Sequence, residues 1–99
     1  ARSANMICIA CSGSVPLVAP HGARDPMFGT NPLAYALPRG LDKPPVVCDF
    51  ATSEIAYWDA VALRQAGQAL PANAAIDKSG APTTDAHHLH ALLPFGAHK

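Results

Sequence analysis

Apolar positions along the chain fall into short blocks, separated by runs of turn-forming residues. Met6 to Cys11 is a short apolar run, which predicts a buried strand. Residues 12–32 are rich in Gly, Pro, Asn, Asp and Ser and predict a long ordered loop or a chain of turns. Long loops of this kind in compact domains are often functional. Pro32 to Leu37 predicts a second strand, Pro38 to Pro45 a turn, and Val46 to Phe50 a third strand. A helix is expected from Glu54 to Gln68, capped by Thr52 or Ser53, with Glu54 at the positive end of its dipole. Gly67 and Pro71 mark its end. Residues 70–86 read as loop, with a short extended piece at Ala74 to Ile76 and a turn at Lys78-Ser79-Gly80. A second short helix is expected from Asp85 to Leu92.

Within the main helix, Ile55, Trp58, Asp59, Ala62 and Ala66 recur at helical spacing and predict one apolar face. Arg64, Gln65 and Gln68 fall largely elsewhere, as a solvated face would. Asp59 therefore sits inside an otherwise apolar stripe, where a carboxylate must find a partner or change its proton affinity. Two readings stand. Asp59 is an acid aimed into an active site, or it is a salt-bridged acid at the edge of the stripe, partnered by Arg64 or by a residue elsewhere.

Composition narrows the class. A chain of 99 residues makes one small domain with a modest core. With 49% hydrophobic and 14% charged residues, it is expected to pack part of its surface against something outside itself. The formal net charge is zero, so no basic nucleic-acid footprint is present. No apolar run is long enough to cross a bilayer and no basic-then-apolar leader is seen, so neither nucleic acid nor membrane is an expected partner. Three cysteines, Cys8, Cys11 and Cys48, do not make a disulfide framework and suit reduced thiols in the cytoplasm. The chain starts without Met and stops in loop-like sequence, which reads as an internal piece of a larger protein.

Several side chains invite chemistry. Asp49-Phe50-Ala51-Thr52-Ser53 is a strand exit ending on small hydroxyl residues before a helix, a recipe for holding a phosphate. Cys8 and Cys11 lie three apart, so in a strand they face opposite sides and cannot chelate together; core packing is expected for both. His87, His88 and His90 read as a surface cluster without an acidic ligand set, and no metal site is expected. His21 is a turn residue or a ligand contact. Arg24 and Asp25 form an expected local ion pair.

Four motifs in order resemble the type-2 malate/L-lactate dehydrogenase family. They are His21-Gly22-Ala23-Arg24-Asp25-Pro26-Met27-Phe28-Gly29-Thr30-Asn31-Pro32-Leu33-Ala34, then Asp49-Phe50-Ala51-Thr52-Ser53, then Gly80-Ala81-Pro82-Thr83-Thr84-Asp85, and last Leu92-Leu93-Pro94-Phe95-Gly96-Ala97-His98-Lys99. The His-Gly-Ala-Arg stretch is most similar to the branch of Δ1-piperideine-2-carboxylate and Δ1-pyrroline-2-carboxylate reductases. The resemblance implies an α/β fold: a mixed, largely antiparallel sheet flanked by helices, a non-Rossmann NAD(P)-binding domain of which residues 1–99 are the central part. That agrees with the absence of a G-x-G-x-x-G pattern. It also implies an NADPH- or NADH-dependent homodimer acting on a cyclic imine carboxylate or a 2-oxo acid.

By position, the resemblance implies cofactor contacts at Asp49, Phe50 and Ala51, extended to Thr52 and Ser53 by the hydroxyl-rich strand exit, and again at His98 and Lys99. It implies substrate contacts at Thr30, Ser14, Tyr57 and Trp58. It makes Asp59 the acid paired with an upstream His in proton transfer, which favours the catalytic reading. Departures are Tyr57-Trp58, where the family carries a small or His residue and then Gly; Asn5 and Cys8 at common glycine positions; and Ala97 at the second Gly of Gly-Gly-His-Lys. A Trp at position 58 adds bulk where the family leaves room. The alternative reading is therefore a truncated, non-catalytic remnant serving as a binding or structural module. The isolated chain is expected to be inactive, because half of the implied site lies outside it.

Overall fold

The computed structural model describes residues 4–40 and 42–95. Strands β1 (Cys8–Cys11), β2 (Leu33–Leu37) and β3 (Val46–Phe50) form an antiparallel sheet in that order. Cys8 faces Ala36 at one end of β1, and Leu33 faces both Cys11 and Phe50 at the other end of β2. The turn joining β2 to β3 is proline-rich, with Gly40 at φ 93° and the Arg39 Nε–H donating to Pro44 O at 2.9 Å. Helix α1 spans Tyr57–Gln65. Two further two-residue strands, β4 (Ala75–Ile76) and β5 (Ala91–Leu92), pair antiparallel. The molecule is elongated, 52 × 27 × 22 Å. Among the described residues no helix is long and apolar enough to cross a membrane.

The core does not sit under the three-stranded sheet. It gathers around β4 and β5, where Leu92, Ala75, Val18, Ala60, Leu70 and Ala86 are buried together, with Ile55, Tyr57, Leu63 and Leu89 packed against them. A smaller cluster joins Ala19, Ile76 and Ala91 to Leu93. The loop after β1 feeds this core. Val18 exchanges backbone hydrogen bonds with Phe28 at 2.8 and 3.0 Å, Ala19 N donates to Leu92 O, and Leu92 N donates to Leu17 O. Pro20-His21-Gly22-Ala23 closes as a tight turn, with Ala23 N donating to Pro20 O and Gly22 at φ 79°. Glycine suits the third position of such a turn because it has no Cβ to clash at positive φ. His21 sits exposed in this turn.

Five expectations need correction. Strand β1 is exposed along its whole length rather than buried, and Cys8 and Cys11 with it, because among the described residues no layer covers either sheet face. Ile9 and Val47 are likewise exposed. Helix α1 starts three residues late and neither Thr52 nor Ser53 caps it; the N-cap is Ala56, without a side-chain bond. The reason is that residues 52–54 run beside residues 93–95, with Phe95 N donating to Thr52 O and Glu54 N to Leu93 O, which keeps the chain extended. The face turned to the core carries Tyr57, Ala60 and Leu63, leaving Trp58, Asp59, Ala62 and Ala66 outward. The second helix is absent. Asp85 Oδ1 instead accepts from His87 N at 2.8 Å, closing a turn, and the chain straightens into β5. Arg24 and Asp25 do not pair. Asp25 Oδ1 lies 3.3 Å from His90 Nε2, and Arg24 lies over Gly80.

Helix α1 stops at Gln65, three residues short of the expected Gln68, but Gly67 marks its end as expected. Gly67 at φ 64° donates to Arg64 O, and Gln68 N donates to Leu63 O at 2.9 Å, the paired bonds of a Schellman motif.

The turn after β4 is locked by one carboxylate. Asp77 Oδ1 accepts from the Ser79 hydroxyl at 2.6 Å, from Ser79 N at 2.8 Å and from Ala81 N at 3.1 Å. These donors, the Ser79 hydroxyl first, hold the Asp77 carboxyl below its usual range. A carboxyl depressed on folding adds stability above its unfolded value, and loses it as pH falls through the folded one. The turn should therefore loosen below about pH 4. Ser79→Ala is expected to move the Asp77 titration upward, read from its carboxyl carbon by NMR; an unmoved curve would contradict this account.

Candidate active site

Three of the residues implied as ligand contacts converge on one junction. Ser14 comes from the loop after β1, Thr30 from the Gly-Thr-Asn-Pro turn before β2, and Thr52 from the exit of β3. Thr30 N donates to Ser14 Oγ at 3.0 Å, and the Ser14 and Thr30 hydroxyl oxygens lie 3.4 Å apart. Thr30 O accepts from Thr52 N at 2.8 Å and from Thr52 Oγ1 at 3.0 Å. Thr52 Oγ1 is also 3.1 Å from Asn31 O.

Two residues of this junction were not singled out by sequence. Asn31 holds φ 31°, a left-handed conformation that Asn tolerates better than most side chains, and its Oδ1 accepts from Ser14 N at 3.4 Å. Gly29 is buried, and a Cβ there would stand 2.6 Å from Ser14 O. Only glycine lets the turn approach the Ser14 loop this closely. The available signal was the Gly-x-Asn-Pro spacing, which marks a special turn without saying what it touches.

The strand exit offers a different chemistry. Asp49 is exposed and pairs with Ala34 across the sheet. It borders a shallow hollow of about 190 Å³ lined by Ala10, Cys11, Ser12, Pro32 and Ala34. An apolar floor with one carboxylate at the rim suits a flat ring bearing hydroxyl groups. Phe50 lies one residue on and so faces the other side of the sheet. Ser53 is fully buried and its hydroxyl donates to Ile55 O at 2.7 Å. The hydroxyl protons of Thr52 and Ser53 are thus both committed to backbone carbonyls, and the Thr52 and Glu54 amides are committed as well. As folded, this exit is poor in donors for a phosphate.

On α1, Tyr57 packs toward the core while Trp58 is 76% exposed; their rings meet edge to face at 5.4 Å and 66°. Asp59 is exposed beside Trp58, and among the described residues it makes no ion pair with Arg64. His98 and Lys99 lie outside the described residues. The chain leading to them passes Thr52 at Phe95.

Other polar groups do not join this site. Hollows of about 340 Å³ around Arg64, Thr84 and His87, and about 440 Å³ around Asp77, Lys78 and His88, contain none of the implied contacts. His88 Nδ1 lies 3.5 Å from Asp85 Oδ2, and among the described residues no group of three His, Cys, Asp or Glu side chains is arranged to hold a metal. Tyr35 and Cys48 face each other across β2 and β3, and the Cys48 thiol raises the Tyr35 hydroxyl above its usual range.

An antiparallel α/β chain of this topology superimposes on the crystal structure of Δ1-piperideine-2-carboxylate reductase from Pseudomonas syringae pv. tomato with a TM-score of 0.89 and 40% identity, covering 98% of this chain and 30% of that one. Residues 1–99 match the malate/L-lactate dehydrogenase family, and the chain belongs to it. It is 44% identical over 97 residues to the Δ1-pyrroline-2-carboxylate/Δ1-piperideine-2-carboxylate reductase of Pseudomonas putida, covering 95% of this chain and 28% of that protein. It is 46% identical over 89 residues to an L-lactate dehydrogenase of Cupriavidus necator, covering 85% and 26%. The chain thus spans between a quarter and a third of the length of these relatives.

Proposed function

We propose that the full-length protein is an NAD(P)H-dependent reductase that transfers a hydride between nicotinamide and a cyclic imine carboxylate, with 2-oxo and 2-hydroxy acids as the related substrate class. Its similarity to the Pseudomonas putida reductase supports the imine, and the Cupriavidus necator relative supports the wider class. The observation that carries the reading is the junction of Ser14, Thr30 and Thr52, which leaves the Thr30 hydroxyl as a polar group on a turn whose backbone is already fixed.

A bound dihydronicotinamide supplies the hydride, and the protein supplies orientation and a proton. The acceptor carbon sits beside a carboxylate; reduction makes a C–H bond there and turns the ring nitrogen into an amine that gains a proton. Thr30 Oγ1 holds the substrate carboxylate or nitrogen. Asp49 accepts from hydroxyls of the nucleotide, with Phe50 and Ala51 beside it, and His98 and Lys99 are further cofactor contacts in this reading. Asp59 orients a histidine contributed from outside these residues and aids its proton transfer. Trp58 offers a face against which the substrate ring packs, with Tyr57 buttressing it. The working form is taken to be a cytoplasmic homodimer, in keeping with exposed apolar residues such as Ile7, Ile9 and Val47.

The test is nicotinamide oxidation by the purified full-length protein, with NADPH and NADH offered separately against Δ1-piperideine-2-carboxylate and a 2-oxo acid. Turnover is expected with the imine. Loss of neither nucleotide with any acceptor would favour the non-catalytic remnant, for which the bulky Trp58 is the supporting observation.

A further inference from the structure

We propose that Thr52 is a positioning residue for substrate binding, not a phosphate ligand: with Ser14 it forms a hydroxyl brace that aims the Thr30 side chain. This rests on the reductase reading above and refines it.

Thr30 has an amide donor, a carbonyl with two lone pairs and a hydroxyl. The amide is taken by Ser14 Oγ at 3.0 Å. The Thr30 carbonyl accepts from Thr52 N at 2.8 Å and from Thr52 Oγ1 at 3.0 Å, whose one proton is shared with Asn31 O at 3.1 Å. The backbone of Thr30 is therefore held on two sides, through its amide and its carbonyl, and its hydroxyl is the group left to meet a ligand. Thr52 in turn has no proton to offer a phosphate, because its amide and hydroxyl both point into the turn. Asn31 and Gly29 serve the same geometry, the first by tying its Oδ1 to Ser14 N at 3.4 Å. The second does so by lacking the Cβ that would meet Ser14 O at 2.6 Å.

Ser14 decides what Thr30 presents. The Ser14 hydroxyl lies 3.4 Å from both Val15 O and Thr30 Oγ1, so its proton has two destinations. When it donates to Thr30 Oγ1, the Thr30 proton points outward and suits a carboxylate. When it donates to Val15 O, Thr30 donates back to Ser14 and turns a lone pair outward, which suits a protonated imine. A two-hydroxyl pair of this kind can follow the charge of the ligand without moving the backbone.

The experiment compares Thr52→Val, Thr52→Ser and Ser14→Ala in the full-length protein. Two constants are measured for each: KM for the cyclic imine, and the dissociation constant of reduced nucleotide by fluorescence titration. Thr52→Val is expected to raise KM about tenfold or more, the loss expected for disturbing a hydrogen bond to a charged group. Its nucleotide affinity should stay near wild type, and Thr52→Ser should restore KM. Ser14→Ala should raise KM without touching nucleotide affinity, and it keeps the idea testable if Thr52→Val does not fold. Weakened nucleotide binding with unchanged KM in Thr52→Val would overturn the brace and make Thr52 a cofactor ligand. Unchanged constants in both Thr52→Val and Ser14→Ala would overturn it too. Absence of imine turnover in the wild type would instead sink the functional reading, and the brace with it.

Discussion

Leu92→Ala is expected to cost about 3–5 kcal/mol of folding free energy, the upper part of the range for buried leucines. Leu92 is fully buried and, among the described residues, is the largest side chain to be so. Its neighbours decide the size of the effect. Three of the five buried residues clustered with it, Ala60, Ala75 and Ala86, are alanines, which have no rotamers with which to fill a void. Backbone collapse is opposed as well. Leu92 N donates to Leu17 O at 2.8 Å, Leu92 O accepts from Ala19 N at 3.0 Å, and Ala75 is its partner across β4 and β5. The cavity should therefore persist, and a persistent cavity adds to the lost transfer energy. Domains of ordinary stability hold about 5–15 kcal/mol in all, so the variant should unfold at markedly lower urea. A loss of less than about 1 kcal/mol would mean that β5 moves freely to close the gap. Leu92 also couples core to site, since the next residues, Leu93 to Phe95, pin the strand exit at Thr52 and Glu54.

Much of the local structure was legible because it is local. Strands β2 and β3 fall where short apolar blocks are bounded by proline, and α1 ends just before Gly67, where only a residue at ease with positive φ completes the Schellman motif. What failed depended on distant partners. The run Met6 to Cys11 is apolar enough for a core strand, but composition cannot say whether a layer covers it. Of the expected stripe Ile55, Trp58, Asp59, Ala62 and Ala66, only Ile55 packs on the core, and the other four had the right period and the wrong side. Alanines lie on both faces of α1, so periodicity did not select between them, and Tyr57, Ala60 and Leu63 turned inward. Ser53 is as good a partner for a nearby carbonyl as for a helix end, and pairing with residues 93–95 chose the first. Asp85 suits a helix cap and a turn equally, and the match of Ala91 and Leu92 to Ile76 and Ala75 chose the turn. The site divides in the same way. Ser14, Thr30 and Thr52 were named from motifs, and their meeting is what the fold adds. Asn31, which holds two of the three segments together, carried no signal beyond its place in a turn.

Asp59→Asn in the full-length protein is expected to lower kcat by about 10²- to 10⁴-fold, the span of general acid–base assistance. Nucleotide affinity should hardly change. Asp59 lies in the first turn of α1 on the outward face, beside the exposed Trp58, and the core packs against the opposite side. Among the described residues it has no cationic partner, so the salt-bridge reading has lost the residue it named, Arg64. An exposed helix acid without a partner is common and by itself says nothing of catalysis. What distinguishes the catalytic reading is the kinetic pattern. Asn keeps the shape and the hydrogen-bonding reach of Asp but cannot hold a histidinium by charge. An interaction made only as the proton moves lowers kcat and kcat/KM together and leaves ground-state binding alone. Because the side chain is exposed and outside the core, the thermal midpoint should also stay close to wild type, which separates lost chemistry from lost folding. Unchanged kcat would return Asp59 to an ordinary solvated position. A fall in kcat matched by a fall in nucleotide affinity would assign it to cofactor binding instead, and the proton-transfer role would pass to a residue outside this helix.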